Sequence, residues 1–328
     1  MKDKNLVNHL IISVVLTIFV VLTFVCYWFM PLIVYKPAKQ SSLNINKSES
    51  IITTNSNSIK ILQLTDFHIN GALGMPITFS MIKRLIYKTK PDLLYLSGDL
   101  FSNGASKKDV DTFLNFIESF KLPWAAVFGN HDDETPYTML ELSTNFENAN
   151  YSLFKTGNLT NLYGNYYYNI NFEDNNRFEF IFMDSRSRGF TEESVDFYEH
   201  AVKHSKNLNN NQPSNNILFY HIPLAEEIIA VAEYKNNPKI GEGKINEEVC
   251  AQENQVGFFN KVLELGVTKA MLFGHDHVNN AKIKYNDVMF CYGTKTGSSS
   301  YNKISIQGGT LYTLSSSGEL SYKDVYLI

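Results

Sequence analysis

Short apolar runs alternate with segments of helical periodicity between residues 59 and 273. The runs are rich in Ile, Val, Leu and Phe, and they predict buried strands at residues 59–64, 93–96, 124–128, 178–183, 217–220 and 270–273. One intervening segment has the i, i+3, i+4, i+7 spacing of a helix face, at Val110, Phe113, Leu114 and Ile117. Ser106 with Asp109 has the pattern of a helix start. The alternation predicts an α/β fold.

The region after His277 has a different pattern. It predicts short strands separated by Gly and Ser turns, at residues 282–285, 288–292, 310–314 and 320–326. Earlier in the chain, the Tyr-rich residues 161–176 predict a hairpin, and the Asn-rich residues 207–216 predict a surface loop. We expect residues 59–328 to form one domain.

Residues 10–30 contain no charged side chain and are dominated by Ile, Val, Leu and Phe. A run of this length spans a bilayer core of roughly 30 Å at about 1.5 Å per residue. Tyr27 and Trp28 near its end suit an interfacial aromatic belt. We therefore predict a membrane anchor with one transmembrane helix at residues 1–36. A cleaved signal peptide is the alternative, but the run is long for one and no small-residue cleavage site follows it.

The segment after this run is rich in Ser, Asn and Thr, and it predicts a flexible linker at residues 37–58. Lys2 and Lys4 precede the span, whereas Lys36 and Lys39 follow it. The positive charges on its two sides are therefore nearly equal, and the positive-inside rule favours neither orientation. Because a very short N-terminal tail usually stays inside, we expect a single-pass membrane protein whose large domain lies outside the cytoplasm.

Composition excludes several classes of protein. The chain is 44% hydrophobic and 19% charged with a net charge of −4, which is ordinary for a globular domain. No cluster of Lys and Arg indicates a nucleic-acid-binding surface. The chain has three cysteines, Cys26, Cys250 and Cys291, which is too few for a disulfide framework. A single disulfide bond between Cys250 and Cys291 is not excluded.

Five short segments place metal-binding side chains directly after predicted strands. They are Asp66-Phe67-His68, Gly98-Asp99, Gly129-Asn130-His131-Asp132, His221 and Gly274-His275-Asp276-His277. Ligands of open α/β sheets bind outside the carboxyl ends of the strands, so we expect all five segments to meet at one edge. Carboxylates and imidazoles suit Zn²⁺, Mn²⁺ or Fe²⁺, and Asp99 is the natural bridge between two cations. Each motif alone is weak, but the ordered series predicts a two-metal site.

The same motifs resemble the calcineurin-like metallophosphoesterase superfamily, over residues 59–328. Gly-Asn-His-Asp-Asp-Glu at 129–134, His-Ile-Pro-Leu at 221–224, Gly-His-Asp-His-Val-Asn at 274–279 and Cys-Tyr-Gly at 291–293 look like its branch related to purple acid phosphatases. The segment at 247–250 is also similar to that branch. The resemblance implies a four-layer αββα sandwich, in which two mixed β-sheets are flanked by helices, preceded here by the transmembrane helix.

The resemblance also implies a role for each motif residue. Asp66, His68 and His277 would bind the first of two divalent ions (Mn, Fe or Zn), and Asn130, His221 and His275 the second, with Asp99 bridging them. The ion pair would activate a bound water as hydroxide for attack on phosphorus. His131 would stabilise the developing charge or protonate the leaving oxygen, and Asp132 would orient His131. Asn130 and His131 would both contact the substrate.

Two positions depart from the family pattern. Purple acid phosphatases proper have a Tyr three residues after the bridging Asp, whereas this chain has Ser102. The resemblance therefore does not support a ferric-tyrosinate centre. Asn280 replaces an acidic residue that is common at that point.

Four further residues carry weaker signals. Arg186 and Arg188 follow a predicted strand and could reach a substrate phosphate, although a solvated loop is the simpler interpretation. His200 and His204 have the i, i+4 spacing of a helical metal pair, but no Glu follows the first of them. We expect both to be surface residues.

Taken together, the patterns favour a membrane-anchored phosphomonoesterase with a dinuclear metal site. The expected partners are a phosphorylated small molecule, lipid or phosphoprotein, and the lipid bilayer through the N-terminal helix. A phosphodiesterase acting on nucleotides or lipid head groups is the alternative within enzymes. A non-catalytic anchored binding module is the alternative of another class, although none of the ligand positions is missing from the sequence.

Overall fold

The computed structural model describes residues 2–34, 41–71, 74–159, 161–186, 189–254 and 256–327, and the side chains of the first helix from residue 9 to residue 26. Within these residues there are seven α-helices: α1 Lys2–Val34, α2 Met75–Thr89, α3 Lys107–Glu118, α4 Met139–Asn148, α5 Glu192–Leu208, α6 Glu226–Asn236 and α7 Phe258–Leu265. The fourteen strands are β1 Leu43–Asn46, β2 Ile51–Thr54, β3 Ser58–Leu64, β4 Leu93–Ser97, β5 Trp124–Val127, β6 Tyr166–Asn171, β7 Arg177–Phe182, β8 Asn215–Phe219, β9 Gly241–Glu242, β10 Thr268–Phe273, β11 Lys282–Tyr285, β12 Val288–Tyr292, β13 Gly308–Ser315 and β14 Leu320–Tyr326.

The strands form two mixed sheets. One has nine strands in the order β1-β2-β6-β7-β8-β10-β12-β11-β9, and the other has five in the order β14-β13-β3-β4-β5. Strands β3, β4 and β5 are parallel, and so are β7, β8, β10 and β12. The parallel strands therefore end in the same direction within each sheet, which is the arrangement that the sequence pattern requires for a shared ligand edge.

Side chains from both sheets meet in one buried core. The ring of Tyr95 on β4 contacts those of Phe182 and Phe219, which belong to the other sheet, with centroids 6.1 Å and 4.7 Å apart. Every residue of β4 is buried, which explains its continuous apolar sequence. Helices α2 and α3 cover the outer face of the five-stranded sheet, and α5 and α7 cover that of the nine-stranded sheet.

The predicted start of α3 is confirmed. The side chain of Ser106 accepts a hydrogen bond from the backbone N–H of Asp109, and the Asp109 carboxylate accepts one from the N–H of Ser106. This capping box satisfies two of the backbone donors that a helix leaves unpaired at its N-terminus. It fixes the loop that leads from β4 into α3, and that loop carries Asp99.

The sequence predicts a flexible linker at residues 37–58, and this is wrong for the part of it that forms β1 and β2. Strand β2 pairs in parallel with β6, with Ile52 opposite Ile170, and Ile52 is buried. Because these partners lie more than 100 residues apart in the chain, the local composition gave no sign of the pairing. The predicted hairpin at 161–176 also needs correction, since this segment contains only β6, whose antiparallel partner is β7.

Helix α1 contains a stretch, His9–Cys26, that is long and apolar enough to cross a membrane. None of this stretch is buried against the rest of the protein. A signal sequence near an N-terminus has the same length and composition, so the membrane anchor stays a prediction at this point.

Candidate metal centre

Five of the seven predicted ligand residues lie within three residues after the end of a strand, and His68 and His277 come four residues after β3 and β10. Asp66 follows β3, Asp99 follows β4, Asn130 follows β5, His221 follows β8 and His275 follows β10. The first three strands belong to the five-stranded sheet, and the last two belong to the nine-stranded sheet. The structure therefore brings residues from both sheets to one place, as the sequence predicts.

One group of side chains contains Asp66, His68, Asp99 and His277. Each offers one ligand atom, and these atoms all lie within 4.8 Å of one another. The Nε2 atoms of His68 and His277 are 2.9 Å apart, and Nε2 of His68 is 3.4 Å from Oδ2 of Asp99. Nε2 of His277 is 3.6 Å from Oδ1 of Asp66. All four residues are buried.

A second group contains Asp99, His221 and His275, again with ligand atoms within 4.8 Å of one another. Nε2 of His221 is 3.3 Å from Oδ2 of Asp99. Its other ring nitrogen, Nδ1, is 2.7 Å from the carbonyl oxygen of Ser97, which fixes the orientation of the ring. Asp99 is thus common to both groups, in the position expected of a bridging ligand.

Several polar atoms in these groups, and one on Asn130, which follows Gly129 beside Asp99 and His221, are buried without a hydrogen-bond partner. They are Oδ1 of Asp66, Oδ1 of Asn130, Nε2 of His221 and Nδ1 of His275. An unpaired buried polar atom costs about 1–3 kcal/mol, so four in one place indicate that the site is completed by another group. Carboxylate, amide and imidazole donors are those that divalent transition metals accept. The buried Asp and His cluster fits a dinuclear divalent metal site.

The backbone at these positions adopts a conformation that the sequence did not reveal. Asp66, His68, Asp99 and His275 have positive φ angles of 55°, 46°, 50° and 77°. Non-glycine residues rarely adopt this region, and they do so mainly where a functional geometry requires it. At Gly129, a Cβ atom would lie 2.2 Å from Oδ1 of Asp99, so only glycine fits there.

Burial sets the protonation of two of the imidazoles. It lowers the pKa of His68 to about 3 and that of His275 to about 4, although Asp99 acts in the opposite direction on both. Both rings are therefore neutral at pH 7, which is the form that binds a metal. Burial alone would raise the pKa of Asp99, but the nearby positive charge of His221 holds it well below the ordinary value. Burial alone would lower the pKa of His221, but the negative charge of Asp99 raises it to about 9.

Sequence similarity places this geometry in a known family. The family model for calcineurin-like phosphoesterases matches residues 59–279, which is more than half of the chain. The chain belongs to the calcineurin-like phosphoesterase family. Membership of this family makes it a metal-dependent phosphoesterase, as the motifs predict.

Relatives of this phosphoesterase include plant and yeast proteins. It is 27% identical to the probable inactive purple acid phosphatase 28 of Arabidopsis thaliana, over 74% of this chain and 72% of the relative. It is 28% identical to phosphatase DCR2 of Saccharomyces cerevisiae, over 73% of this chain and 48% of the relative. A solved dimetal phosphatase from Danio rerio has a TM-score of 0.50 at 10% identity and covers 77% of this chain and 92% of its own. That likeness shows a shared fold, and the predicted α/β fold with two mixed sheets is confirmed.

His131 lies at the edge of the phosphoesterase site. Its ring is 5.1 Å from that of His68, and its backbone N–H donates to Oδ1 of Asp99 at 2.9 Å. The side chain is 40% exposed, so the imidazole is open to the solvent and to a substrate. Burial opposes protonation, but the carboxylates of Asp99 and Glu134 outweigh it and raise the pKa of His131. A protonated imidazole here can give a proton to a leaving oxygen.

The prediction that Asp132 orients His131 is wrong. Nδ1 of His131 is instead 2.9 Å from Oε1 of Glu134, whose Oε2 accepts a hydrogen bond from the N–H of Asn103. Residues 132–134 form a short 3-10 helix, which turns Glu134 back toward the histidine. The i, i+3 spacing of His131 and Glu134 was visible in the sequence, but it indicates a contact only if this turn is known.

Asp132 has a structural role. Its Oδ1 accepts hydrogen bonds from the N–H groups of Leu100 and Phe101, at 2.8 Å and 3.0 Å. Its Oδ2 accepts one from the N–H of Gly129 at 2.7 Å. The carboxylate therefore joins the loop after β4, which carries Asp99, to the loop after β5.

The side chain of Arg186 is only 10% exposed and pairs with other groups of the protein. The guanidinium of Arg186 donates to the buried carboxylate of Asp184 at 3.1 Å and to the carbonyl oxygen of Asn161 at 3.0 Å. It therefore ties two loops together. Arg188 lies outside the described residues. His200 is exposed and His204 is half-buried on α5, consistent with the surface position expected for this pair.

Ser102 and Asn280, the two residues that depart from the family pattern, lie in different parts of the structure. Ser102 lines the cleft above the metal cluster. Asn280 is buried away from it, and its amide nitrogen donates to Oδ2 of Asp324 at 3.0 Å and to the hydroxyl of Tyr326 at 2.9 Å. Both partners belong to β14, so Asn280 connects the loop after His277 to the edge strand of the other sheet.

A cavity of about 520 Å³ opens over the cluster. Its lining includes His68, Asp99, His131, His275 and His277, together with residues that the motifs did not indicate. Among these, Tyr301 packs its ring against that of His277, with centroids 4.2 Å apart and the planes tilted by 31°. The carbonyl oxygen of Tyr301 lies 3.0 Å from Nδ1 of His277 and so orients a predicted ligand.

Proposed function

We propose that this chain is a membrane-anchored phosphomonoesterase whose catalytic centre is the cluster around Asp99. The proposal depends on one observation. Asp99 belongs to both groups of ligand atoms, and the atoms of each group lie within 4.8 Å of one another. The unpaired buried atoms of Asp66, Asn130 and His221 support it, because bound cations would satisfy them.

The roles follow from position. Asp66, His68 and His277 would hold one ion, and Asn130, His221 and His275 the other, with Asp99 between them. Two divalent ions held there would supply Lewis acidity and lower the pKa of an attacking water. His131 donates a proton from its exposed imidazole to the leaving oxygen, and Glu134 holds the other ring nitrogen. Asn130 and His131 would contact the phosphoryl group.

We also propose that α1 anchors the protein in a membrane, with the phosphoesterase domain outside the cytoplasm. The support is the exposed, uncharged stretch His9–Cys26. Reporters fused at the C-terminus test the orientation. Alkaline phosphatase is active only outside the cytoplasm, whereas green fluorescent protein is fluorescent only inside it. Activity of the second reporter alone would reverse the proposed orientation.

The metal site is tested with the full chain in mild detergent. We expect about two equivalents of Mn, Fe or Zn per chain by elemental analysis. Asp99→Asn should lower the metal content and reduce hydrolysis of 4-nitrophenyl phosphate by more than about 100-fold, since even residues around metal ligands contribute 10–100-fold. Asp287→Asn is a matched control, because Asp287 is fully exposed in the turn between β11 and β12. Full activity of Asp99→Asn would overturn the proposal.

A phosphodiesterase is the second candidate, because the same metal core serves both reactions and the cleft is open to solvent. The ratio of rates on 4-nitrophenyl phosphate and bis(4-nitrophenyl) phosphate separates the two. We expect the monoester to be preferred. A non-catalytic binding module is favoured instead if the purified chain holds no metal and hydrolyses neither substrate with any divalent ion. Three relatives from Arabidopsis thaliana are named probable inactive.

A further inference from the structure

The part of the cleft beyond the metal cluster is lined by carboxylates. Glu134, Glu247 and Glu248 all line it, and among its described lining residues there is no Lys or Arg. Lys303, two residues after Tyr301, is exposed and donates from its ammonium to Oδ1 of Asn246 at 2.6 Å. The phosphoryl group of a substrate belongs at the metal cluster, whose buried unpaired atoms, such as Nδ1 of His275, indicate bound ions. The rest of the substrate must therefore lie against negative charge.

Two of these carboxylates are held in place. Oε1 of Glu247 accepts a hydrogen bond from the N–H of Val278 at 2.9 Å, and its Oε2 accepts one from the hydroxyl of Tyr301 at 2.9 Å. Glu134 is held by His131 and by the N–H of Asn103. Fixed charges cannot turn away from an approaching anion, and they attract a cation without reorganising. Glu248, next to Glu247, is exposed on the same rim.

Tyr301 adds an aromatic surface beside these charges. One side of its ring packs on His277, and the side chain remains 56% exposed. Its hydroxyl is fixed by Glu247, which holds the ring at the cleft. An aromatic face next to carboxylates is the combination that binds ammonium groups, including quaternary ones, through cation–π attraction.

We propose that the substrate is a phosphate monoester of an ammonium-bearing alcohol, with its cationic end held by Glu247, Glu248 and Tyr301. This inference rests on the proposed phosphomonoesterase function. The reaction adds the oxygen of one water to phosphorus and breaks the ester P–O bond. The alcohol leaves with a proton, and inorganic phosphate is the other product. The cationic group itself is unchanged and acts only in recognition.

The test compares two substrates of the same shape. Phosphocholine carries a quaternary nitrogen, and 3,3-dimethylbutyl phosphate has a neutral carbon in its place. For the full chain in detergent at low salt, we expect kcat/KM to favour phosphocholine by about three- to fivefold, the size of one cation–π contact at an exposed ring. The preference should shrink in 0.5 M NaCl, because salt screens the carboxylates.

Substitutions in the cleft test which residues recognise the ammonium group. Glu248→Gln and Tyr301→Leu should each reduce the ratio of the two kcat/KM values by about threefold or more. The matched control is Glu319→Gln, since Glu319 is exposed between β13 and β14 and does not line the cleft. It should keep the wild-type ratio. A ratio that is unchanged in both cleft variants would overturn the assignment of these residues.

Binding of choline itself gives a readout that needs no turnover. We expect saturation-transfer NMR to detect the N-methyl protons of choline in the wild type, with a weaker signal in Tyr301→Leu. If 4-nitrophenyl phosphate is hydrolysed but the two test substrates are used equally and choline does not bind, this inference fails and the proposed function stands. If no phosphate monoester is hydrolysed, the proposed function fails, and the ammonium-ester inference fails with it.

Discussion

The hydroxyl of Tyr95 donates a hydrogen bond to the backbone carbonyl oxygen of Tyr220 at 2.9 Å, across the space between the two sheets. Tyr95 lies on β4, two residues before the end of the strand that leads to Asp99, and Tyr220 immediately precedes His221. The same hydroxyl is 3.3 Å from the carbonyl oxygen of Leu272 on β10. Tyr95 is fully buried. One phenol thus fixes the distance between the strand that leads to Asp99 and the two strands that lead to His221 and His275.

We predict that Tyr95→Phe loosens the metal site without removing any ligand. The buried carbonyl would lose its donor, so the free energy of unfolding should fall by about 1–3 kcal/mol. The metal should also be released faster to a chelator. Urea unfolding and the rate of metal release measure the two effects.

Tyr198→Phe is the matched control for that prediction. Its buried hydroxyl lies 2.8 Å from Oγ1 of Thr268, so it pairs α5 with β10 on the outer side of the nine-stranded sheet. This variant should lose similar stability but release metal at the wild-type rate. Equal release rates for the two variants would show that the contact between the sheets does not set the metal geometry.

The contacts of Asp132 and Glu134 predict opposite effects of two substitutions. Asp132→Asn should lower the free energy of unfolding on the order of 3 kcal/mol, because its amide nitrogen would face backbone N–H groups that now donate to a carboxylate. Glu134→Gln should leave the stability nearly unchanged but reduce kcat, since it weakens the contact to His131. Thermal unfolding and steady-state kinetics separate these effects. A large loss of stability in Glu134→Gln with normal kcat would contradict the assignment.

For His131 we predict a loss of catalysis without a loss of metal. His131→Ala should reduce kcat by about 10²–10⁴-fold, which is the usual contribution of a general acid. The metal content should stay at the wild-type value, because the contact of this residue with Asp99 is made by its backbone N–H. His200→Ala, at an exposed position on α5, is the control for removal of an imidazole. A parallel loss of metal would place His131 among the ligands.

Most of the strands were predictable, either from a continuous apolar run, as in β4, or from short alternating segments between turns, as in β14. The predicted strands at 282–285, 288–292 and 320–326 have the observed bounds, and that at 93–96 lacks only Ser97. The order of strands and polar segments also indicated that Asp66, Asp99 and His275 would share one edge. Apolar runs and the alternation of apolar and polar residues are local patterns, so they can be recognised in the sequence.

The errors concern relationships between distant or turning parts of the chain. Strands β1 and β2 depend on pairing with β6, and the polar composition around them resembles a linker. Glu134 rather than Asp132 reaches His131 because a 3-10 turn intervenes. Tyr301 and Glu247 meet across more than 50 residues of sequence. None of these contacts can be identified from the local sequence alone.

A buried glutamate on β7 makes the stability depend on pH. Glu179 is fully buried, and neither of its carboxylate oxygens has a hydrogen-bond partner. Burial raises the pKa of Glu179 to about 8, from an ordinary value of 4.5. Two nearby phenols, Tyr167 and Tyr198, stay neutral over this range, since burial raises their pKa values as well.

We therefore predict that stability falls as the pH rises from about 4.5 to about 8. In this range the folded state keeps a proton on Glu179 that the unfolded state has lost, so the free energy of unfolding decreases by up to about 1.4 kcal/mol per pH unit. Glu179→Gln removes the titrating group and should flatten this part of the profile, with its largest gain in stability near pH 8. The measurement is urea unfolding at a series of pH values. Glu173→Gln, at an exposed position before β7, should keep the wild-type slope, and equal slopes for both variants would exclude Glu179 as the cause.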